Sequence, residues 1–229
     1  PNNEWTAIAK RARVVFYNPE NVSPEEIQDL TYEDLAKEEW KNRVVIRSSS
    51  NMYNQSLVAS LIANQGIKNT ESWAKKFVNN FARKPQGNDR SQIIAVSNGQ
   101  ADIAVANSYY IGIMLSGSAG EEQLEAAKKV RMHFPNQKDR GTHVNISGGG
   151  VINTSKNKEA AIKFLEFLSS SEAQEIFGNI NYEYPVNIQN NKSELLNSWG
   201  TFKSDKLNLS LLGERNSEAV KIFDKAGWE

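Results

Sequence analysis

Three tyrosines are the side chains of this sequence whose type and placement could do chemistry together. Tyr109 and Tyr110 follow an apolar run that is typical of a buried strand, and Tyr53 lies in a polar loop after another short strand. A phenol has an ordinary pKa of about 10, so it yields its proton only to a strongly charged cation and then becomes a hard anionic oxygen ligand. Three phenolates would balance a trivalent ion, and hard-ligand preferences favour Fe(III) over Ca(II) or Mg(II).

The same residues also have plainer interpretations. Tyr109 and Tyr110 could simply fill a domain edge. Tyr53 could be a surface residue of a serine-rich turn. Spacing alone does not decide between these interpretations and a metal site.

Other catalytic and metal-binding chemistries find little support in the sequence. The chain contains no cysteine, which excludes disulfides, zinc-thiolate sites, iron-sulfur clusters and cysteine nucleophiles. His133 and His143 lie in strand-like stretches without an acidic partner at a metal-ligand spacing, so we expect core or surface histidines. No Gly-x-Ser-x-Gly motif indicates a serine nucleophile. We therefore expect a protein that is not an enzyme.

The charge balance limits the partners that the protein can attract. Lysine and arginine together number 27, and so do aspartate and glutamate, so no net field draws in nucleic acid or an anionic membrane. No apolar run approaches the ~20 residues of a membrane helix, and no signal peptide opens the sequence at Pro1. We expect no nucleic-acid partner, no membrane span, and a processed or partial chain.

Two successive strand-helix units are predicted to position the tyrosines. The first is a strand over 43–47, followed by the polar loop 48–55 and a helix that stops at Gly66. The second contains a helix that begins at Asp89 as its N-cap, and then the buried strand that precedes Tyr109. In α/β sheets, ligands bind where strands end, so both tyrosine segments fall at ligand positions.

A further helix is predicted over 71–83, in which Trp73, Phe77 and Phe81 are spaced by four residues. This spacing places the three rings on one stripe of the helix, which indicates core packing.

The glycine triplet Gly148–Gly150 follows a strand-like stretch. It lacks the spacing of a dinucleotide-binding loop, and no lysine follows it as in a P-loop. We therefore predict a bulge or a crossing strand that needs close approach of the backbone.

Four collinear segments resemble the periplasmic ferric-ion-binding proteins that supply ABC importers, most closely their cyanobacterial-type branch. In order, the segments are RARVVFYN at 11–18, SNMYNQSL at 50–57, ADIAVANSYY at 101–110 and NYEYPV at 181–186. The resemblance implies an α/β fold of the periplasmic binding protein type II kind, with two interleaved lobes and a cleft. It assigns residues 1–14 and 143–184 to a first lobe that is incomplete here, and residues 15–142 and 185–229 to the second lobe.

The resemblance also implies a function and a set of site residues. It implies capture of ferric iron by tyrosine phenolates, with a synergistic anion as a further expectation, and delivery to an inner-membrane ABC permease. A periplasmic location and a monomer are expected. The implied metal ligands are Tyr53, Tyr109 and Tyr110. The residues implied to orient these ligands or to hold an anion are Arg11, Ser48, Ser49, Ser50 and Asn107.

Two departures from the family pattern keep alternatives open. Family members begin earlier and supply a further ligand from that region, and Met114 stands where many members of the branch carry an arginine. One alternative is a binder of an oxyanion or a small organic ligand on the same fold, which would use the Ser48 to Ser50 loop and Asn107. The other is a truncated fragment that binds nothing.

Overall fold

Helices and short strands alternate along the chain, as the sequence predicts for a mixed α/β protein. The computed structural model describes residues 4–186 and 193–229. The strands are β1 (Thr6–Tyr17), β2 (Val44–Val45), β3 (Ile103–Asn107), β4 (Arg131–His133), β5 (Val144–Gly149) and β6 (Tyr184–Pro185). The α-helices are α1 (Pro24–Ile27), α2 (Met52–Gln65), α3 (Ile67–Val78), α4 (Asp89–Ser97), α5 (Tyr109–Leu115), α6 (Glu121–Lys129), α7 (Lys158–Leu168), α8 (Ser171–Ile176), α9 (Glu194–Ser198), α10 (Ser210–Glu214) and α11 (Asn216–Ala226). Along the described ranges, no helix combines the length and apolar composition that crossing a bilayer requires.

The chain divides into two compact units. The smaller unit combines Pro1–Arg11 with Val144–Thr201, and the larger unit combines Ala12–His143 with Phe202–Glu229. Strand β1 therefore contributes residues to both units. The sequence resemblance implies lobe boundaries near residues 14, 143 and 184. These boundaries stay a prediction.

The larger unit is built on a sheet with the strand order β2-β3-β1-β4. β2 and β3 are parallel, whereas β1 is antiparallel to both β3 and β4. In this register, Arg13 of β1 lies opposite Asn107 of β3. All residues of β3 are buried, which explains why residues 103–106 form a continuous apolar run with no alternation.

An aromatic cluster forms the centre of the larger unit's core, as the spacing of Trp73, Phe77 and Phe81 predicts. Trp73 and Phe77 stack with ring centroids 4.8 Å apart, and Phe81 meets Phe77 edge-on at 5.0 Å. The helix nevertheless ends at Val78, earlier than predicted. It ends there because the following backbone pairs with β2: the Ala82 N–H donates to the Val44 carbonyl at 2.8 Å.

The N-cap predicted for α4 is wrong by one residue. Asn88 caps the helix, because its side-chain Oδ1 accepts the N–H of Ser91 at 3.1 Å and Ser91 Oγ accepts the N–H of Asn88 at 3.3 Å. Asp89 is instead fully buried at the first helical position. This difference matters for the site, because it frees the carboxylate to pair elsewhere.

The glycine triplet of the smaller unit lies where two backbone segments approach each other closely, as its sequence predicts. Gly148 and Gly149 end β5, which pairs with β1. A Cβ atom on Gly148 would lie 2.6 Å from the ring of Trp5, and one on Gly150 would lie 2.6 Å from the Glu4 carbonyl oxygen. A larger residue would therefore separate the two segments, and no phosphate-binding role is needed to explain the glycines.

Substitution of Gly141 is expected to destabilise the larger unit. Gly141 has a φ of +96°, and a Cβ atom there would lie 2.5 Å from the carbonyl oxygen of Lys203. We expect Gly141→Ala to lower the free energy of unfolding by about 1–3 kcal/mol from backbone strain, with the steric clash adding to that loss. Chemical denaturation followed by circular dichroism measures the change.

Gly213 provides the matched control for this prediction. It lies within α10, and a Cβ atom there would meet nothing within 4 Å. Gly213→Ala is expected to stabilise the protein by about 0.5–1 kcal/mol through helix propensity. Equal unfolding midpoints for the two variants would contradict the assignment of strain to Gly141.

Candidate metal centre

Strand β3 carries the tyrosine pair to the edge of the sheet. The strand ends at Asn107, Ser108 is the N-cap residue of α5, and Tyr109 and Tyr110 occupy the first turn of that helix. The pair therefore begins a helix directly after the strand. Because a helix fixes backbone dihedral angles, both phenols are held on a regular element.

Tyr53 reaches the same edge of the sheet from the neighbouring strand. The chain leaves β2, forms the serine-rich loop and enters α2, whose N-cap is Asn51. The Asn51 side-chain oxygen accepts the Tyr53 N–H at 3.2 Å, so the tyrosine lies in the first turn of the helix. Since β2 and β3 are adjacent and parallel, their carboxyl ends lie at one edge of the sheet. The local chain geometry thus brings both segments together.

The three predicted ligands are neighbours in the structure. The rings of Tyr109 and Tyr110 lie with centroids 4.1 Å apart at an interplanar angle of 31°. Burial raises the pKa of the Tyr109 phenol above its ordinary value, and the adjacent Tyr110 hydroxyl and then the Tyr53 hydroxyl raise that pKa further. Tyr109 therefore stays protonated at neutral pH unless a cation takes the place of its proton.

This arrangement supplies three hard oxygen donors of one type at one place. Neutral phenols are weak ligands, whereas phenolates formed beside a highly charged cation are strong ones. Among the residues that the structure describes, no group of three histidine, cysteine, aspartate or glutamate side chains is arranged to hold a metal ion.

The serine loop that precedes α2 is held by hydrogen bonds within the protein. Ser48 Oγ and Ser50 Oγ lie 3.1 Å apart, and the Ser50 N–H donates to Ser48 Oγ at 3.2 Å. The Ser49 N–H donates to the backbone carbonyl of Glu229 at 3.4 Å. Ser50 is exposed and Ser48 and Ser49 are partly buried. The role of the loop as an anion contact stays a prediction.

Asn107 and Arg11, also singled out from the sequence, engage protein partners. Asn107 is fully buried, and its Oδ1 accepts a hydrogen bond from Arg13 Nη1 at 3.1 Å. Arg11 belongs to the smaller unit, where its Nε donates to Glu183 Oε1 at 2.9 Å. Both predicted roles of Asn107, orienting a ligand and holding an anion, stay predictions. The role of Arg11 stays a prediction.

A buried ion pair behind the tyrosines escaped the sequence analysis. Arg13 and Asp89 have no exposed side-chain surface, and Arg13 Nη1 donates to Asp89 Oδ2 at 2.8 Å. A second arginine, Arg47, places Nη1 3.6 Å from Asp89 Oδ1. An arginine within an apolar strand run is the signal that could have revealed the pair, because a buried charge requires a partner.

The two histidines pack within the larger unit, as expected. His143 is 3% exposed, and its Nε2 lies 2.7 Å from the hydroxyl of Ser56. Burial lowers the pKa of His133, whose Nε2 lies 3.4 Å from the carbonyl oxygen of Leu30. Met114, which stands where an arginine was expected from the family pattern, is fully buried in α5.

Comparisons with known proteins cover most or all of the chain. A family model described as bacterial extracellular solute-binding protein matches residues 1–204. Iron uptake protein A1 of Synechocystis sp. is 52% identical over 231 aligned residues, which cover 100% of this chain and 63% of the relative. The chain thus spans less than two thirds of the length of that relative.

Two solved structures superpose closely on the chain. A Trichodesmium protein, solved in complex with iron and citrate ligands, gives a TM-score of 0.94 at 52% identity, covering 100% of this chain and 72% of the other. A ferric binding protein from Campylobacter jejuni gives a TM-score of 0.92 at 42% identity, with the same coverage of both chains.

Proposed function

Because this chain belongs to the bacterial extracellular solute-binding protein family, we propose that it captures ferric iron through the phenolates of Tyr53, Tyr109 and Tyr110. The observation that carries the proposal is the convergence of these three phenols on one edge of the sheet. Relatives whose names or descriptions mention iron uptake or ferric binding support the choice of metal. The ion is then delivered to an inner-membrane ABC permease.

The chemistry is ligand exchange coupled to proton release. Each phenol gives its proton to solvent as its oxygen binds the ion, and three phenolates cancel the triple charge of Fe(III). The burial that disfavours a lone phenolate on Tyr109 favours the neutral assembly of cation and phenolates. No covalent bond of a substrate is made or broken, so the proposed role is transport and not catalysis.

The proposal extends to the surroundings of the iron. A synergistic oxyanion completes the coordination, and its expected contacts are the side-chain hydroxyls of Ser48 to Ser50. The Trichodesmium relative solved with iron and citrate supports an oxyanion of this kind. We place the protein in the periplasm as a monomer, which fits a carrier that meets its permease transiently.

Titration with a chelated ferric salt tests the proposal. The expected result is a saturable phenolate-to-iron charge-transfer band in the visible, which reaches its plateau at one ferric ion per chain. A folded chain that shows no band, with and without added citrate, would contradict ferric capture. Saturable binding of citrate alone would instead favour the oxyanion-binding alternative.

Ferric affinity is expected to fall as the pH falls. Because three phenols must each release a proton, the logarithm of the apparent affinity should rise by about three for each pH unit below the phenol pKa. The raised pKa of Tyr109 extends this dependence above the ordinary phenol range. Competition titrations against a chelator of known protonation constants, at a series of pH values, measure the slope. A slope near zero would contradict phenolate coordination.

A further inference from the structure

Arg13 makes side-chain contacts with both ligand-bearing segments at once. Its side chain is fully buried in the part of β1 that belongs to the larger unit. Arg13 Nη2 donates to Asn54 Oδ1 at 2.6 Å, and Arg13 Nη1 donates to Asn107 Oδ1 at 3.1 Å. These acceptors are 41 and 94 residues away along the chain. A single guanidinium thus joins two segments that the sequence keeps far apart.

The acceptors are placed beside the phenols. Asn54 immediately follows Tyr53 in the first turn of α2, and Asn107 lies two residues before Tyr109 at the end of β3. The Asn54 Nδ2 group also donates to the carbonyl oxygens of Arg47 and Ser48, at 2.9 and 3.0 Å. A displacement of Arg13 would therefore move the backbones of Tyr53 and Tyr109, because its acceptors lie only one or two residues from them along the chain.

Asp89 fixes the arginine and the strand end together. Its Oδ2 accepts both the Arg13 Nη1–H at 2.8 Å and the backbone N–H of Asn107 at 2.9 Å. The carboxylate thereby holds the guanidinium plane and the last residue of β3 in one arrangement. Arginine suits this position because its planar fork presents several donors in fixed directions, which a lysine ammonium cannot reproduce.

We infer that Arg13, held by Asp89, is a positioning residue that sets the spacing between the Tyr53 phenol and the Tyr109–Tyr110 pair for iron. The inference rests on the proposed function. Stability alone is a poor explanation of the buried pair, because well-packed apolar side chains often replace such pairs without loss of stability. Metal ligands, in contrast, must be held to within about 0.5 Å, and residues around the ligands supply that precision.

Arg13→Lys, made in the intact protein, tests the inference. The lysine keeps a positive charge beside Asp89 but cannot reach Asn54 and Asn107 together. We expect iron to dissociate into excess chelator about 10-fold faster or more. We also expect the charge-transfer band to change in position or intensity, because the phenolates no longer converge in the same geometry. A general loss of stability would not by itself move the band of the iron-loaded protein.

Arg43→Lys is the matched control. Arg43 is a partly buried arginine of the larger unit that pairs with Asp102 and Glu26, at 2.5 and 3.1 Å, and it makes no contact with the tyrosine segments in the described ion pairs. Its variant is expected to keep the wild-type band and dissociation rate.

The outcomes separate the inference from the proposed function. A wild-type protein that binds iron, together with a folded Arg13→Lys variant of unchanged band and dissociation rate, would overturn the inference and leave the function intact. If Arg13→Lys does not fold, Asn107→Ala is measured in its place, because it removes one acceptor of Arg13 and keeps the Arg13–Asp89 pair. An unchanged band and an unchanged dissociation rate in Asn107→Ala would then overturn the inference. A wild-type protein that shows no iron band would contradict both the proposed function and the inference on Arg13.

Discussion

Tyr109→Phe is expected to weaken and shift the visible iron band and to weaken ferric binding by more than the ~10–100-fold that loss of a residue around a metal's ligands costs. The phenylalanine keeps the ring that lies 4.1 Å from Tyr110 and removes only the oxygen. Stability should change little, because the apolar ring that fills the partly buried position stays in place. Ferric titration and chemical denaturation of the same variant measure the two effects separately.

Tyr17→Phe is the control for this experiment. Tyr17 is a partly buried tyrosine that lies opposite Ile103, at the other end of β3 from the proposed site. The control should bind iron like the wild type. If Tyr109→Phe and Tyr110→Phe both kept the wild-type band, the assignment of these ligands would be wrong.

Asp89→Asn is expected to lower the free energy of unfolding by about 3–5 kcal/mol, because it leaves a buried guanidinium without its counter-ion. Both side chains of the Arg13–Asp89 pair are fully buried, so water cannot replace the lost carboxylate charge. The nearby Arg47 adds a second cation 3.6 Å from the other carboxylate oxygen. Urea unfolding, followed by circular dichroism, measures the change.

An exposed ion pair of similar distance is the control, because it shows how much of the effect of Asp89→Asn comes from burial and how much from pairing alone. Asp29 pairs with Lys138 at 2.7 Å, and the two side chains are 48% and 79% exposed. Asp29→Asn is expected to change stability by no more than about 1 kcal/mol, because solvent screens the pair. Equal effects of Asp29→Asn and Asp89→Asn would contradict the argument from burial.

Local patterns in the sequence predicted the parts of the fold that depend on neighbouring residues. The apolar run before the tyrosines is the buried strand β3, and the four-residue spacing of Trp73 and Phe77 gives a stacked pair in the core. The periplasmic binding protein fold, predicted from four motifs, is confirmed by the superposition on ferric-binding proteins. These features follow from periodicity or from contiguous motifs, which a single sequence displays.

The arginine network depended on distant residues and was missed. Asp89 follows the pattern of an N-cap, but its partner Arg13 lies 76 residues away, and the cap passes to Asn88. Nothing near Asp89 in the sequence indicates that the helix start is buried against β1. Capping motifs show which local hydrogen bonds are available, and tertiary burial then decides which of two adjacent residues makes them.

The strand order of the larger unit has a consequence for the time at which the iron site forms. β3 pairs with β1, so Arg13 meets Asn107 across 94 residues of intervening chain. Contacts of such high sequence separation carry a large loop-closure entropy and slow the folding of the proteins that depend on them. The helices whose first turns hold Tyr53 and Tyr109 can form locally, but their phenols meet only after β2 and β3 pair. Arg13 joins the two segments only after β1 has also paired with β3. A phenolate-to-iron colour that develops during refolding would therefore report one of the last steps of folding.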